Sequence, residues 1–263
     1  MARKAYLTID DSPSDRMDDL AARLFQKSIP AIFYCRGDML ERNLGSAARA
    51  AAKGFVLANH TYSHRRSSEE DTDWIIADIE RCERLIERAY QSAGVRQGGK
   101  YFRFPHMDRG TGGWIVDYDS YPPEERAALL EIFAGGLNIA SLEKPAAAAL
   151  EKKEKLQAYL KAEGYSQPFR NVTAPWYGRG EIAQARDSFY TFSNCDWMVT
   201  ERHRGKWPYK TAEDLKNRAR SDASLSAGDG VNVILAHDQA EIVDITMELI
   251  EDLAENGMEF LTV

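Results

Sequence analysis

Short apolar runs, each closed by a polar or charged residue, alternate with helical-period segments from the start of the chain. Ala5–Ile9 ends at Asp10-Asp11, Ala31–Cys35 follows Pro30, Phe55–Asn59 ends at His60, Tyr101–Phe104 carries Arg103, and Val231–Leu235 leads to His237. Runs of this length bounded by turn residues read as buried strands. Between them Met17, Leu20, Leu24 and Phe25 recur at helical spacing, and an Ala-rich helix over about 41–52 ends near Gly54. Ile75, Ile79, Cys82, Ile86 and Ala89 trace one face of a long helix that stops before Gly94, with Ser68 and Asp71 offering a capping box at its start. This β-α-β-α-β-α-β order predicts parallel strands joined by right-handed crossovers. Folds of that kind carry their sites at the C-terminal ends of the strands, where these polar residues sit.

Residues 107–170 break the alternation. They hold Gly110, Gly112-Gly113, Pro122-Pro123 and Gly135-Gly136, then a Lys/Glu/Ala-rich helix over about 145–163 ending at Gly164. We expect a helical insertion within one domain spanning 1–263, with Trp114, Tyr118 and Tyr121 either roofing the site or decorating the surface. Alternation then resumes with Ser188–Phe192, ending at Asp196-Trp197. A helix over 212–224, capped by Thr211 and Asp214, precedes Val231–Leu235. The final helix has its stripe at Ile242, Ile245, Leu249 and Leu253, and the last strand is Met258–Leu261.

Composition removes several classes of function. A net charge of −7 argues against nucleic acid as partner. The three cysteines, Cys35, Cys82 and Cys195, form no C-x-x-C pair, so buried thiols are expected rather than a thiolate site or a disulfide framework. No apolar run of membrane-spanning length occurs. Met1–Lys4 leads straight into a strand with no apolar leader behind it, which reads as a cytoplasmic protein.

What remains is chemistry at strand ends. His60 and His64, four apart in His60-Thr61-Tyr62-Ser63-His64, can close on one divalent ion, but a catalytic metal site needs a third protein ligand and an open position. The early Asp10-Asp11 pair offers that ligand. If Asp11, His60 and His64 hold the ion, bound water is acidified. Strand alternation then turns Asp10 another way, free to act as a base kept ionised by a nearby Arg. His237, on another strand, could protonate a leaving group. A metal, a base and a separate acid together describe hydrolysis of an amide or ester. Each piece alone has a bland reading, as a capping turn, a buried histidine or a surface ion pair; their conjunction at strand ends carries the argument.

These residues resemble the motifs of the polysaccharide deacetylases (the NodB-homology, carbohydrate esterase family 4 enzymes). Thr8-Ile9-Asp10-Asp11-Ser12-Pro13 is similar to T-F-D-D-G-P, and His60–His64 to the paired-histidine motif. Arg103-Phe104-Pro105-His106 resembles R-x-P-[YF], Asp196-Trp197 the D-W ending of a fourth motif, and Leu235-Ala236-His237 the L-x-H motif. The resemblance implies a distorted (β/α) barrel of about seven parallel strands that removes N-acetyl groups from amino sugars. It implies Asp11, His60 and His64 as ligands of one divalent ion, zinc first, with cobalt or manganese as alternatives. Asp10 would be the general base oriented by Arg103, and His237 the general acid tuned by Asp196. Trp197 and Leu235 would line an acyl pocket, and the backbone N–H of His106 would help to hold the oxyanion.

The chain departs from the family pattern at Ser12, where a Gly is usual, at His106, where an aromatic is usual, and in the long 107–170 excursion. The substrate expected is a small N-acyl compound, a lipid-linked sugar or an oligosaccharide, with Trp176-Tyr177 and Trp207-Pro208-Tyr209 as candidate stacking platforms. The basic run Arg202–Lys206 is read as a solvated loop or a contact for an anionic group. Two alternatives stand beside this: the same machinery on a non-sugar C–N bond (a small amide, ureide or N-formyl group), and a non-catalytic sugar-binding relative.

Overall fold

The structure is a computed structural model that describes residues 3–112, 118–134 and 145–263. In chain order the elements are β1 (Arg3–Ser12), α1 (Met17–Gln26), β2 (Ile32–Cys35), α2 (Gly37–Ala52), β3 (Val56–Asn59) and α3 (Thr72–Ala93). Then come α4 (Pro123–Ala134), α5 (Ala147–Ala162), α6 (Gly180–Gln184), β4 (Phe192–Ser193), α7 (Ala212–Ser221), α8 (Ala223–Ser226), β5 (Val231–His237), α9 (Val243–Glu255) and β6 (Met258–Phe260). All strand pairings are parallel, in the order β3-β2-β1-β5-β4. β6 pairs with the first residues of β1, Arg3–Ala5, while β2 pairs with its later half.

The predicted strand over 101–104 is not a regular strand. It contributes single bridges: Asn59 N–H donates to Tyr101 O at 2.8 Å, Arg103 N–H to Asn59 O at 3.0 Å, and Ser188 N–H to Phe102 O at 2.7 Å. The expected strand over 188–192 is likewise reduced to the two residues of β4, with Thr191 N–H donating to Val233 O at 2.8 Å. Backbone hydrogen bonds thus run from β3 through 101–103 to 188–193, and on to β5 and β1. The result is a distorted parallel barrel whose ladder is regular on one arc and reduced to single bonds on the other. Arg103 sits on that irregular arc.

Strand alternation sorts the side chains onto two faces. Ala5, Leu7, Ile9, Phe33, Cys35, Leu57, Ile234 and Ala236 face outward and pack under α1, α2, α3 and α9. Tyr6, Ile32, Tyr34, Ala58, Val233 and Leu235 face inward, with Thr8 and Asp10 on the same side of β1. All three cysteines are buried and free. Among the described residues, no helix is long and apolar enough to cross a membrane.

Several local expectations are corrected. Ser68 and Asp71 form no capping box: Ser68 lies in a 3-10 turn, its hydroxyl donates to Asp108, and α3 begins after Asp71 without a side-chain cap. The Thr211–Asp214 box does form at the start of α7. Trp176 and Tyr177 are buried in the inner core, so they are not an exposed stacking platform. Tyr121 joins the same core, whereas Trp114 and the side chain of Tyr118 lie outside the described residues. In the 107–170 excursion, α5 packs Leu156 and Leu160 against Ile75, Ile79, Phe102 and Phe104. A buried Arg109 ties this region to the 181–187 segment, through Asp187 at 3.1 Å and Glu181 at 3.7 Å.

Candidate metal centre

Three sequence-selected candidate ligands meet at the C-terminal rim: one donor atom each from Asp11, His60 and His64 lie within 4.8 Å of one another. His60 follows β3 directly and is buried. Its Nδ1 lies 2.8 Å from the Arg103 carbonyl, which must receive an N–H. The tautomer is therefore set, and the Nε2 lone pair is left for a ligand role. Burial pushes the His60 pKa down to about 4, so the ring is neutral, as a ligand must be. His64 Nε2 is 3.1 Å from Asp11 Oδ1.

Asp11 reaches this rim because regular alternation fails there. Its φ is +64°, and the β1–β2 register shifts between Ile9 and Ser12. Alternation alone would aim it outward beside Ile9; the bulge swings it to the side of Asp10. The left-handed step falls on Asp11, a residue type that tolerates it, and Ser12 is spared positive φ. Burial by itself would raise the Asp11 pKa, but His64 foremost, with His237 and His60, holds it well below the usual carboxylate range. Oδ2 accepts from Gln239 Nε2 at 2.9 Å, while the buried Oδ1 accepts no hydrogen bond. A buried anionic oxygen without a hydrogen-bond donor, beside two imidazoles, fits a divalent cation, and two nitrogens with one oxygen suit zinc-type coordination.

The histidine loop is strained and braced. Thr61 and His64 have φ of +61° and +58°, a costly setting for a β-branched residue. Asn59 Oδ1 accepts from Thr61 N–H, and Thr61 Oγ1 accepts from His64 N–H. Asp78 of α3 accepts from the N–H groups of Tyr62 and Ser63 and from the Ser63 hydroxyl, at 3.0–3.1 Å. Gly37, at the start of α2, donates to Thr61 O, and a Cβ there would lie 2.3 Å from the Tyr62 ring. Only glycine lets the two segments approach so closely.

Asp10 lies beside the triad, with Oδ2 3.6 Å from His60 Nε2 and Oδ1 2.7 Å from Arg103 Nη1. Arg103 is fully buried, donates also to Thr8 Oγ1, and stacks on Tyr34 at 4.3 Å. Across the cleft, His237 Nδ1 is 2.7 Å from Asp196 Oδ1. Asp196 Oδ2 accepts from the His237 N–H and from Thr246 Oγ1. Burial would lower the His237 pKa, but Asp196 outweighs it and lifts the value to about 9. A cleft of about 410 Å³ joins these groups, and Leu235, Trp197 and His106 line it as well. His106 is exposed, and its ring packs edge-on to His64 with centroids 4.5 Å apart.

The predicted metal, acid–base and acyl-pocket residues thus all reach one rim, while Trp176 and Tyr177 do not. Missed were Gln239, Asp78, Thr8 and Thr246, which hold the others. Asp78 carried a signal, a carboxylate on the buried Ile75–Ile79–Cys82 stripe; the other three carried none. Trp207 and His203 line the cleft, each with ring centroids 5.0 Å from Trp197, so the Trp207 expectation stands closer to the site than Trp176 does.

The first 111 residues match the family model described as polysaccharide deacetylase. A chitooligosaccharide deacetylase of Rhizobium leguminosarum bv. trifolii is 28% identical over 116 residues, covering 44% of this chain and 49% of the relative. A peptidoglycan-N-acetylglucosamine deacetylase of Bacillus cereus is 30% identical over 83 residues, covering 31% and 30%. The chain thus matches half or less of the length of these relatives. Solved structures extend the likeness to the whole fold. The Bc1960 peptidoglycan N-acetylglucosamine deacetylase superposes with a TM-score of 0.59 at 16% identity, over 100% of this chain and 86% of that one. A family 4 carbohydrate esterase from Streptomyces lividans gives 0.55 at 16%, over 99% and 92%. A family 4 pseudoenzyme from Bacillus anthracis gives 0.56 at 15%, over 98% and 63%. The family match covers the first 111 residues, and the superpositions show that the whole chain has the fold of these family 4 deacetylases. Because a pseudoenzyme shares the fold, the side chains of the rim have to carry any claim of activity.

Proposed function

We propose that the protein is a metal-dependent hydrolase that removes the N-acetyl group of an amino sugar, oligosaccharide or sugar conjugate. The observation that carries this is the convergence of an Asp–His–His triad, an Arg-clamped carboxylate and an Asp-paired histidine on one cleft. Asp11, His60 and His64 would hold a divalent ion, zinc by the chemistry of the donors. An ion there supplies a Lewis acid that acidifies water and polarises the acyl oxygen.

The chain's own residues do the rest. Asp10, fixed by Arg103, takes a proton from the attacking water. The backbone N–H of His106 supports the negative charge that develops on the acyl oxygen. His237 keeps its Nδ1 on Asp196 and so offers Nε2 to the departing nitrogen, donating the proton that lets it leave as an amine. Leu235 and Trp197 enclose the acetyl methyl. The buried Arg103 pairs with Asp10 and leaves its neighbour Asp11 to the triad.

The test is elemental analysis of the purified protein, paired with acetate release from N-acetylglucosamine oligomers before and after chelation. About one metal per chain with chelator-sensitive acetate release is the expected result. Metal without acetate release moves the reaction to a non-sugar amide or N-formyl group. Absence of metal after zinc, cobalt or manganese is supplied would overturn the reading.

A further inference from the structure

In a chain of net charge −7, three guanidiniums line the same cleft, those of Arg36, Arg66 and Arg202. Arg36 is engaged: its Nε and Nη2 donate to Asp38 at 3.1 and 2.7 Å, and its Nη1 is 4.0 Å from Asp11. Arg103, deeper in, is spent on Asp10. Arg66 and Arg202 differ. Among the described residues, neither guanidinium has a carboxylate within ion-pair distance or a hydrogen-bond acceptor.

Their placement is informative. Arg66 is half-buried, two residues beyond His64, on the wall that carries His106. Arg202 lines the cleft beside Trp197, His203 and Trp207; Trp197 packs edge-to-face with each of the other two. The cleft lining thus holds an exposed cation, Arg202, in the segment of Trp197 and Trp207, and a half-buried one, Arg66, close to His64 in the chain. A half-buried cation without a counterion is an unfavourable arrangement for an apoprotein to keep. A planar guanidinium is also the group best matched to a carboxylate or phosphate. The two acidic residues of the cleft floor do not compete for it, since Asp10 is neutralised by Arg103 and Asp11 belongs to the triad.

We propose that the substrate carries an anionic group, a carboxylate or a phosphate, bound by Arg66 and steered in by the exposed Arg202 of the same cleft. The identity of the reaction rests on the deacetylase reading above; the binding preference does not. A neutral chitin-like oligomer would leave both guanidiniums unpaired in the complex, whereas an anion-bearing N-acetyl sugar satisfies them.

The experiment is calorimetric titration of the metal-loaded full chain with three probes: N-acetylglucosamine, N-acetylglucosamine 6-phosphate and N-acetylmuramic acid, whose lactyl group supplies a carboxylate. Acetate release is measured on the same compounds. At least one anionic probe is expected to bind about tenfold more tightly than the neutral sugar, with a preference that shrinks as ionic strength rises. Which probe gains tells phosphate from carboxylate. Arg66→Gln should remove most of that preference, Arg66→Lys should keep part of it, and Arg202→Gln should mainly slow association. Equal binding of neutral and anionic probes by the wild-type protein overturns the proposal. So does an anion preference that survives Arg66→Gln, because the anion would then be held at the metal. Acetate release without anion preference defeats this inference alone. Anion preference without acetate release supports it and defeats the deacetylase reading alone.

Discussion

Replacing Arg103 by Met removes a buried cation while keeping most of its length, and the structure says what is left behind. The Asp10 carboxylate, 4% exposed, loses its 2.7 Å partner, Thr8 Oγ1 loses a donor, and the face of Tyr34 loses a stacked guanidinium. At 2.7 Å and an effective dielectric of about 20 the charge pair attracts by roughly 6 kcal/mol, an upper bound because both groups were desolvated to form it. Breaking one side of such a pair costs about 3–5 kcal/mol, since the other charge stays buried and uncompensated. In a chain of 263 residues each kcal/mol lowers the melting temperature by about 2–4 °C, so the loss should be roughly 6–20 °C. The assay is thermal and urea unfolding of wild type, Arg103→Met, Asp10→Asn and the double variant. Neutralising Asp10 removes the stranded charge, so the double variant should be more stable than the two single losses predict by about 2 kcal/mol. The Arg103 carbonyl that fixes His60 is backbone and survives, so metal content should stay near one per chain while turnover collapses. A loss below about 1 kcal/mol with no coupling to Asp10 would falsify the claim that Arg103 holds the buried Asp10 carboxylate.

Other outcomes follow from the same geometry. Asp10→Asn should retain metal and lose about 10²–10⁴-fold in turnover, whereas Asp11→Asn should lose metal affinity; the reverse pattern, read by elemental analysis and acetate release, sinks the role assignment. His237, whose pKa is lifted to about 9, stays protonated through neutral pH, so the alkaline limb of activity should lie near that value. Its folded pKa exceeds the unfolded one, so its contribution to stability is full below about pH 6.5 and lost as pH rises through about 9. Asp196→Asn should move the alkaline limb down and flatten that dependence, and pH–rate and pH–melting profiles check both. Asp78→Ala frees the Tyr62–Ser63 backbone, and metal affinity should fall about 10–100-fold in a chelator competition, as when a support behind a ligand is removed.

The sequence by itself determined the parallel α/β class, most helices and the identity of the residues on the rim. Those signals are local: apolar runs of strand length, a 3.6-residue stripe such as Ile75–Ile79–Cys82–Ile86, and polar residues closing each run. The Thr211–Asp214 box was legible for the same reason, because both partners lie within one turn. The Ser68–Asp71 box failed because Asp108, forty positions later, competes for the Ser68 hydroxyl. Trp176 gave no sign of its burial, since its neighbours in the inner core come from Tyr6, Phe169, Phe189 and Val233. Tertiary structure alone brought Asp11 to the rim beside Asp10. Alternation separates adjacent side chains by face, and only the bulge against β2 returns Asp11 to the rim. It also decided which carbonyl fixes the His60 tautomer and which guanidiniums were spent. The His60–Arg103 and Arg103–Asp10 contacts join residues 43 and 93 positions apart, and no local propensity encodes a distance of that kind.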